Sequence, residues 1–179
     1  FQDGQLAAPA GFPKGETAFT NNKVIVARNF TTERSAADTR GHGTFVAGVA
    51  AGRRIPAQPP QGPVVSISGV APKAFLGNYR VFPTTGRAQE TSVIQAIESA
   101  VLDGMDIINM SLGDASAPPP SADPHARAIQ NAAASGVLVV AAAGNEGPGA
   151  RTIASPATLP SVLSVGMTTN SRFFFALLR

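Results

Sequence analysis

The sequence has no cysteine and no tryptophan, one tyrosine and two histidines. Without cysteine there can be no disulfide, thiolate nucleophile or cysteine-ligated zinc. The compartment stays open, because such chains occur in reducing and oxidising surroundings alike. The two histidines, His42 and His125, stand too far apart in the chain to form a local zinc motif. Charge is also scarce. Fourteen Lys and Arg against 11 Asp and Glu leave +3, scattered singly except at Arg53-Arg54, so the basic patch that nucleic acid would need is missing. No apolar run approaches the roughly 18 residues of a membrane span. The longest, GVLVVAAAG from Gly136, suits a buried strand. Nucleotide signatures fail as well: GHGTFV lacks the third glycine of G-x-G-x-x-G, and no G-x-x-x-x-G-K-[ST] loop occurs. There is no repeat of fixed period.

What the chain does contain is 44% apolar residues, 18 glycines and 15 prolines in 179 positions, the composition of one compact, loop-rich globular unit. KVIVARNF from Lys23 and the Phe75–Phe82 stretch read as buried strands. After Thr44, the spacing of Val46, Val49 and Ala50 predicts a helix that begins at or just after His42. From Thr91, the positions Val93, Ile94, Ile97, Ala100 and Val101 mark a second helix, closed by Gly104. A third carries Ala126, Ile129, Ala132 and Ala133 inward and ends at Gly136. DIINMS, VLVVAAAG and SVLSVGM supply further strands, while RRIPAQPPQGPVV and DASAPPPSADP read as irregular proline-rich connections. Strands alternating with helices imply an α/β fold with a mainly parallel sheet and helices on both faces.

In such sheets ligands bind beyond the carboxyl ends of the strands. Three chemically unusual stretches fall at those ends: His42, Ser111-Leu112-Gly113 and GNEG at 144 to 147. Neutral histidine at a helix N-terminus suits general-base work, because the helix end disfavours its protonated form. An ordinary loop or capping histidine would look the same. Asn145 is equally compatible with a turn, and Gly113 with a plain strand exit.

The surrounding residues narrow the choice. GHGTFVAGVAAG resembles the histidine motif of the subtilisin-like serine endopeptidases, usually His-Gly-Thr-His-Val-Ala-Gly, with Phe45 as the one departure. GVAPKA at 69 to 74, INMSLG at 108 to 113, VVAAAGNEG at 139 to 147 and SPATLPSVLSVGMT at 155 to 168 follow in the family's order. The resemblance implies that His42 is the triad histidine, passing a proton from the nucleophilic serine to the leaving amine. It implies that Asn145 donates to the oxyanion. It also implies that Ser111, Leu112 and Gly113 pair with an extended peptide along one wall of the first specificity pocket, Gly113 leaving room for a side chain.

Two expected motifs are missing from residues 1 to 179. No Asp-Ser/Thr-Gly precedes His42, and no Gly-Thr-Ser-Met-Ala follows the SVG strand. The expectation is therefore a partial subtilisin-like peptidase domain whose aspartate lies just upstream and whose serine lies downstream, inactive on its own. Asp38 reads as a loop or capping group, and Ser111 and Ser155 are misplaced for the nucleophile. The closing SRFFFALLR suggests a following strand, or an inserted protease-associated domain, cut short. The family also implies a secreted monomer acting on polypeptides, with a propeptide as a further partner. No cofactor is implied; calcium would fit surface loops, but no carboxylate cluster marks a site. The rival reading is a degenerate domain that binds extended peptides without cleaving them. Of two glycosylation patterns, Asn29-Phe30-Thr31 reads as the better acceptor in a secreted protein and Asn109-Met110-Ser111 as buried and silent.

Overall fold

The computed structural model describes residues 1–60, 62–115 and 118–169. SRFFFALLR lies outside them. The described strands form two parallel three-stranded sheets and one hairpin. In the first sheet β1 (Lys14–Gly15) pairs with β2 (Val24–Asn29), which pairs with β5 (Leu76–Arg80). In the second, β6 (Ile107–Met110), β7 (Leu138–Ala142) and β8 (Val162–Val165) lie side by side in chain order. The expected α/β architecture is present and incomplete: β5 and β6 each end a separate sheet, with no ladder between them.

Two helices cover one face of the second sheet. α2 (Glu90–Asp103) and α3 (Ala126–Ala134) turn Val93, Ile97, Ala100, Ile129 and Ala132 into the core, where they meet Val81, Met110, Val139, Ala141 and Leu159. Those are the inward positions the helical spacing marked, and Ala133 is half-buried beside them. Gly104 and Gly136 follow the helices in the left-handed region, at φ +84° and +87°, which favours glycine. The opposite face of the sheet is open. Ile107, Leu138, Leu163 and Val165 stand exposed on it, because strand side chains alternate and these fall on the side away from the packed core.

α1 (His42–Ala51) begins where the spacing placed it, but little of it is buried. Its Val49 is 55% exposed and Phe45 70%, and only Ala51 is buried. The reason is that α1 is held through its backbone. Gly69, Val70 and Ala71 donate N–H bonds of 2.8, 3.0 and 2.8 Å to the carbonyls of Gly52, Val49 and Ala50. Gly69 permits the approach: a Cβ there would lie 2.4 Å from the Gly52 nitrogen. The GVAPKA motif is thus a backbone splint for the histidine helix. Lys23, fully buried, holds the same motif from behind, its Nζ donating to the carbonyls of Pro72 and Ala74 at 2.8 and 2.6 Å.

The connection after α1 is also more ordered than its prolines suggest. β3 (Ile55–Ala57) and β4 (Val65–Ile67) form an antiparallel hairpin. Pro56 is tolerated because a two-stranded hairpin consists of edges alone, and the β-branched Ile55, Val65 and Ile67 favour extended backbone.

Candidate active site

The sequence sets a glycine and an asparagine just past β7 and a Ser-Leu-Gly just past β6. The parallel register of the two strands, Met110 opposite Ala141, brings these exits together. Between them is a small cavity of about 120 Å³ lined by Ser111, Leu112, Gly113, Gly144, Asn145, Glu146 and Ala154 among others. The Asn145 carboxamide makes no hydrogen bond among the described residues, so its N–H groups are free for a ligand. Of the five residues singled out beforehand, four line this cavity. His42 does not; it is exposed at the first turn of α1.

Gly113 has a different reason from the one its position suggested. A Cβ there would lie 2.7 Å from the Ser155 carbonyl oxygen and 3.3 Å from the Ala154 Cβ. The room it leaves is therefore filled by the chain's own wall. Ser155 closes that wall by exchanging two 3.0 Å backbone bonds with Asp114. Its side chain is buried and bonded to Asp123, so it is no free nucleophile.

The approach to His42 is braced by Asp38, in the capping role its position suggested, and by a clamp that sequence reasoning left out. Asp38 caps α1: Oδ2 accepts the amide and hydroxyl of Thr44 at 2.8 and 2.7 Å, and Oδ1 accepts the amides of Arg40 and Gly41, both at 2.9 Å. Burial alone would raise its pKa, but the Thr44, Arg40 and Gly41 donors outweigh burial and hold the carboxyl well below the usual range. Its oxygens serve the helix start, as a capping group should, and no bond to His42 is among their contacts. Arg80, buried at the end of β5, reaches Glu33, the Ser35 carbonyl at 2.9 Å and Thr39 Oγ1 at 3.0 Å. Arg40 donates to the Gly86 carbonyl at 3.0 Å and stacks 5.4 Å from the Phe82 ring centre. Segment 33–40 is thereby clamped to 80–86. The one visible signal was a charged residue inside the apolar run YRVF.

Both glycosylation expectations reverse. Asn29 is half-buried and engaged, Oδ1 accepting from Thr31 and Nδ2 donating to the Glu33 carbonyl. Asn109 is exposed, because β6 is an edge strand and the residue faces the open side of its sheet, with Nδ2 3.0 Å from Ser111 Oγ.

A family model described as the subtilase family matches residues 14–173. The chain belongs to the subtilase family. Among curated relatives, Subtilisin-like protease SBT4.11 of Arabidopsis thaliana is 36% identical over 166 residues, covering 92% of this chain and 22% of that protein. Subtilisin DY of Bacillus licheniformis is 35% identical over 156 residues, covering 86% of this chain and 53% of its own length. A solved structure of the prenylagaramide maturation protease PagA shares 35% identity, with a TM-score of 0.47 over 57% of this chain and 36% of that one. The chain thus spans 22% of the plant subtilase and 53% of the bacterial one. Among the described residues of this subtilase chain no helix is long and apolar enough to cross a membrane, and no group of three or more His, Cys, Asp or Glu could hold a metal ion.

Proposed function

We propose that this chain is the central part of a secreted serine endopeptidase, with His42 as general base and Asn145 as oxyanion donor. The attacking serine and the orienting aspartate would come from segments of the same domain outside residues 1–179. An extended polypeptide would lie along Ser111, Leu112 and Gly113 and pair with their backbone. As the serine Oγ bonds to the scissile carbonyl carbon, His42 Nε2 takes its proton. The carbonyl oxygen becomes an oxyanion and accepts the Asn145 Nδ2–H, an interaction stronger in the transition state than in the ground state. His42 then returns the proton to the departing amine, and water repeats the sequence on the acyl-enzyme. The observation that carries this reading is the common cavity of Asn145 and the 111–113 segment at the strand ends, in a family whose matched relatives are named proteases. Monomeric assembly, a propeptide partner and an inserted domain belong to the same proposal.

A serine-directed fluorophosphonate tests it. The whole protein should be labelled, its His42→Ala variant should not, and residues 1–179 alone should remain unlabelled. Asn145→Ala should lower kcat by roughly 10²- to 10³-fold with KM little changed, which is the loss known for this family's own oxyanion asparagine. A whole protein that binds peptides yet resists labelling would instead be the non-catalytic domain.

A further inference from the structure

Behind the cavity wall, the chain assembles a serine, an aspartate and a histidine in one place. Ser155 is buried and its Oγ donates to Asp123 Oδ2. The Asp123 side chain is fully buried; its Oδ1 accepts the His125 backbone N–H at 2.8 Å and lies 3.2 Å from His125 Nδ1. The residue types are those of a hydrolytic triad, but the carboxylate sits between the other two. The imidazole contacts the carboxylate, and the Ser155 proton is given to that same carboxylate, so this cluster cannot activate a nucleophile.

Its position suggests another task. Asp123 is fixed at the start of α3, its carbonyl accepting the Ala126 N–H at 3.1 Å. Ser155 is fixed in the cavity wall. Ala154 beside it lines the cavity and donates to the Ala143 carbonyl at 2.9 Å, two residues from Asn145. On the other side, Ser155 is bridged to Asp114, next to Gly113. The Ala154–Ser155 wall therefore has backbone bonds to both segments that form the cavity, and a side-chain bond from Ser155 to the helix layer. A buried carboxylate is costly unless its oxygens are satisfied, so the bond between Asp123 and Ser155 holds both partners to one geometry.

We infer that Asp123 is a positioning residue: acting through Ser155 Oγ, it fixes the Ala154 wall and so sets the size of substrate side chain the cavity accepts. The part concerning substrate rests on the endopeptidase reading; the part concerning the wall does not. Two measurements on the full chain separate them. In Ser155→Ala, amide hydrogen exchange at Asp114, Ala154 and Ser155 should accelerate roughly tenfold or more, the weight of one hydrogen bond to a charged group. Val139, Val140 and Ala141 should keep their protection. Asp123→Asn, which keeps the shape and removes the charge, should give the same local pattern more weakly and serves if the first variant fails to fold. With peptides graded in the size of the side chain that enters the cavity, both variants should raise KM for the preferred size and flatten the discrimination, with kcat nearly unchanged. Uniform acceleration of exchange across the sheet, or none at the wall, overturns the inference. An unchanged size preference in an active enzyme overturns its substrate part. A whole protein without peptidase activity defeats the endopeptidase reading instead, and the exchange data still decide the wall.

Discussion

Asp38 supplies four hydrogen bonds to the first turn of α1 and the residues before it, and its loss should be felt first there. Asp38→Ala should lower stability by about 1 kcal/mol, the usual weight of a helix cap, read from urea denaturation. Gly69→Ala should cost about 1–3 kcal/mol, because the new methyl would overpack the α1 backbone. Gly48→Ala, on the same helix with open space at the Cβ position, should be tolerated in the same assay. At this scale the sequence was legible where chemistry is local. Asn145 could be set at the exit of β7 from its place after the apolar run, and Asp38 could be recognised as a cap from its distance to the helix start. Asp123 could not, since its partner Ser155 lies 32 positions away and nothing near either residue marks the pair.

Among the elements, the junction of α2 with the first sheet is held by charged groups. Arg28 donates two 2.8 Å bonds to the buried Asp103 carboxylate, Tyr79 donates one of 2.9 Å, and Lys14 reaches the Asp103 carbonyl at 2.8 Å. The Arg28 bonds hold the Asp103 carboxyl below its ordinary range, against the opposing effect of burial. A depressed carboxylate contributes stability that is present above its unfolded pKa, about 3.9, and is lost as pH falls through the folded value. Tyr79 is shifted the other way, pushed up by burial and then by its bond to Asp103. Its contribution is complete below the unfolded phenol pKa of about 10 and is lost above it. Urea unfolding across a pH series should therefore show falling stability on both the acid and the alkaline side. Asp103→Asn should lower the plateau and make the acid limb shallower, by the share this one carboxylate supplies. Helices and long strands were readable because their apolar positions repeat at fixed intervals. The β3–β4 hairpin was not, because its pairing lies between strands flanking a proline-rich loop, and proline argues locally against strand.

For the molecule as a whole, the uneven covering of the second sheet has the largest effect. One face is packed against α2 and α3, while Ile107, Leu138, Leu163 and Val165 present apolar surface on the other. Contiguous apolar surface of this kind attracts hydrophobic dyes and other apolar molecules. Residues 1–179 in isolation should enhance the fluorescence of anilinonaphthalene sulfonate while showing a cooperative unfolding transition, and Leu163→Lys should reduce the enhancement. Ile129→Ala, at the centre of the covered face, should instead cost about 2–5 kcal/mol of unfolding free energy. The order of strands and helices announced an α/β architecture, but sequence order does not reveal which ladders close. The division between β5 and β6 therefore became visible only in three dimensions.

The splint at Gly69–Ala71 grips α1 at the end opposite His42. Ten residues of helix measure about 15 Å, so a tilt of about 2° at that grip would swing the imidazole by about 0.5 Å, as much as the proposed general-base role would tolerate. The histidine rides at the tip of a lever whose fulcrum is a glycine, and the Asp38 cap with the Arg80 clamp acts as the second bearing that steadies the tip.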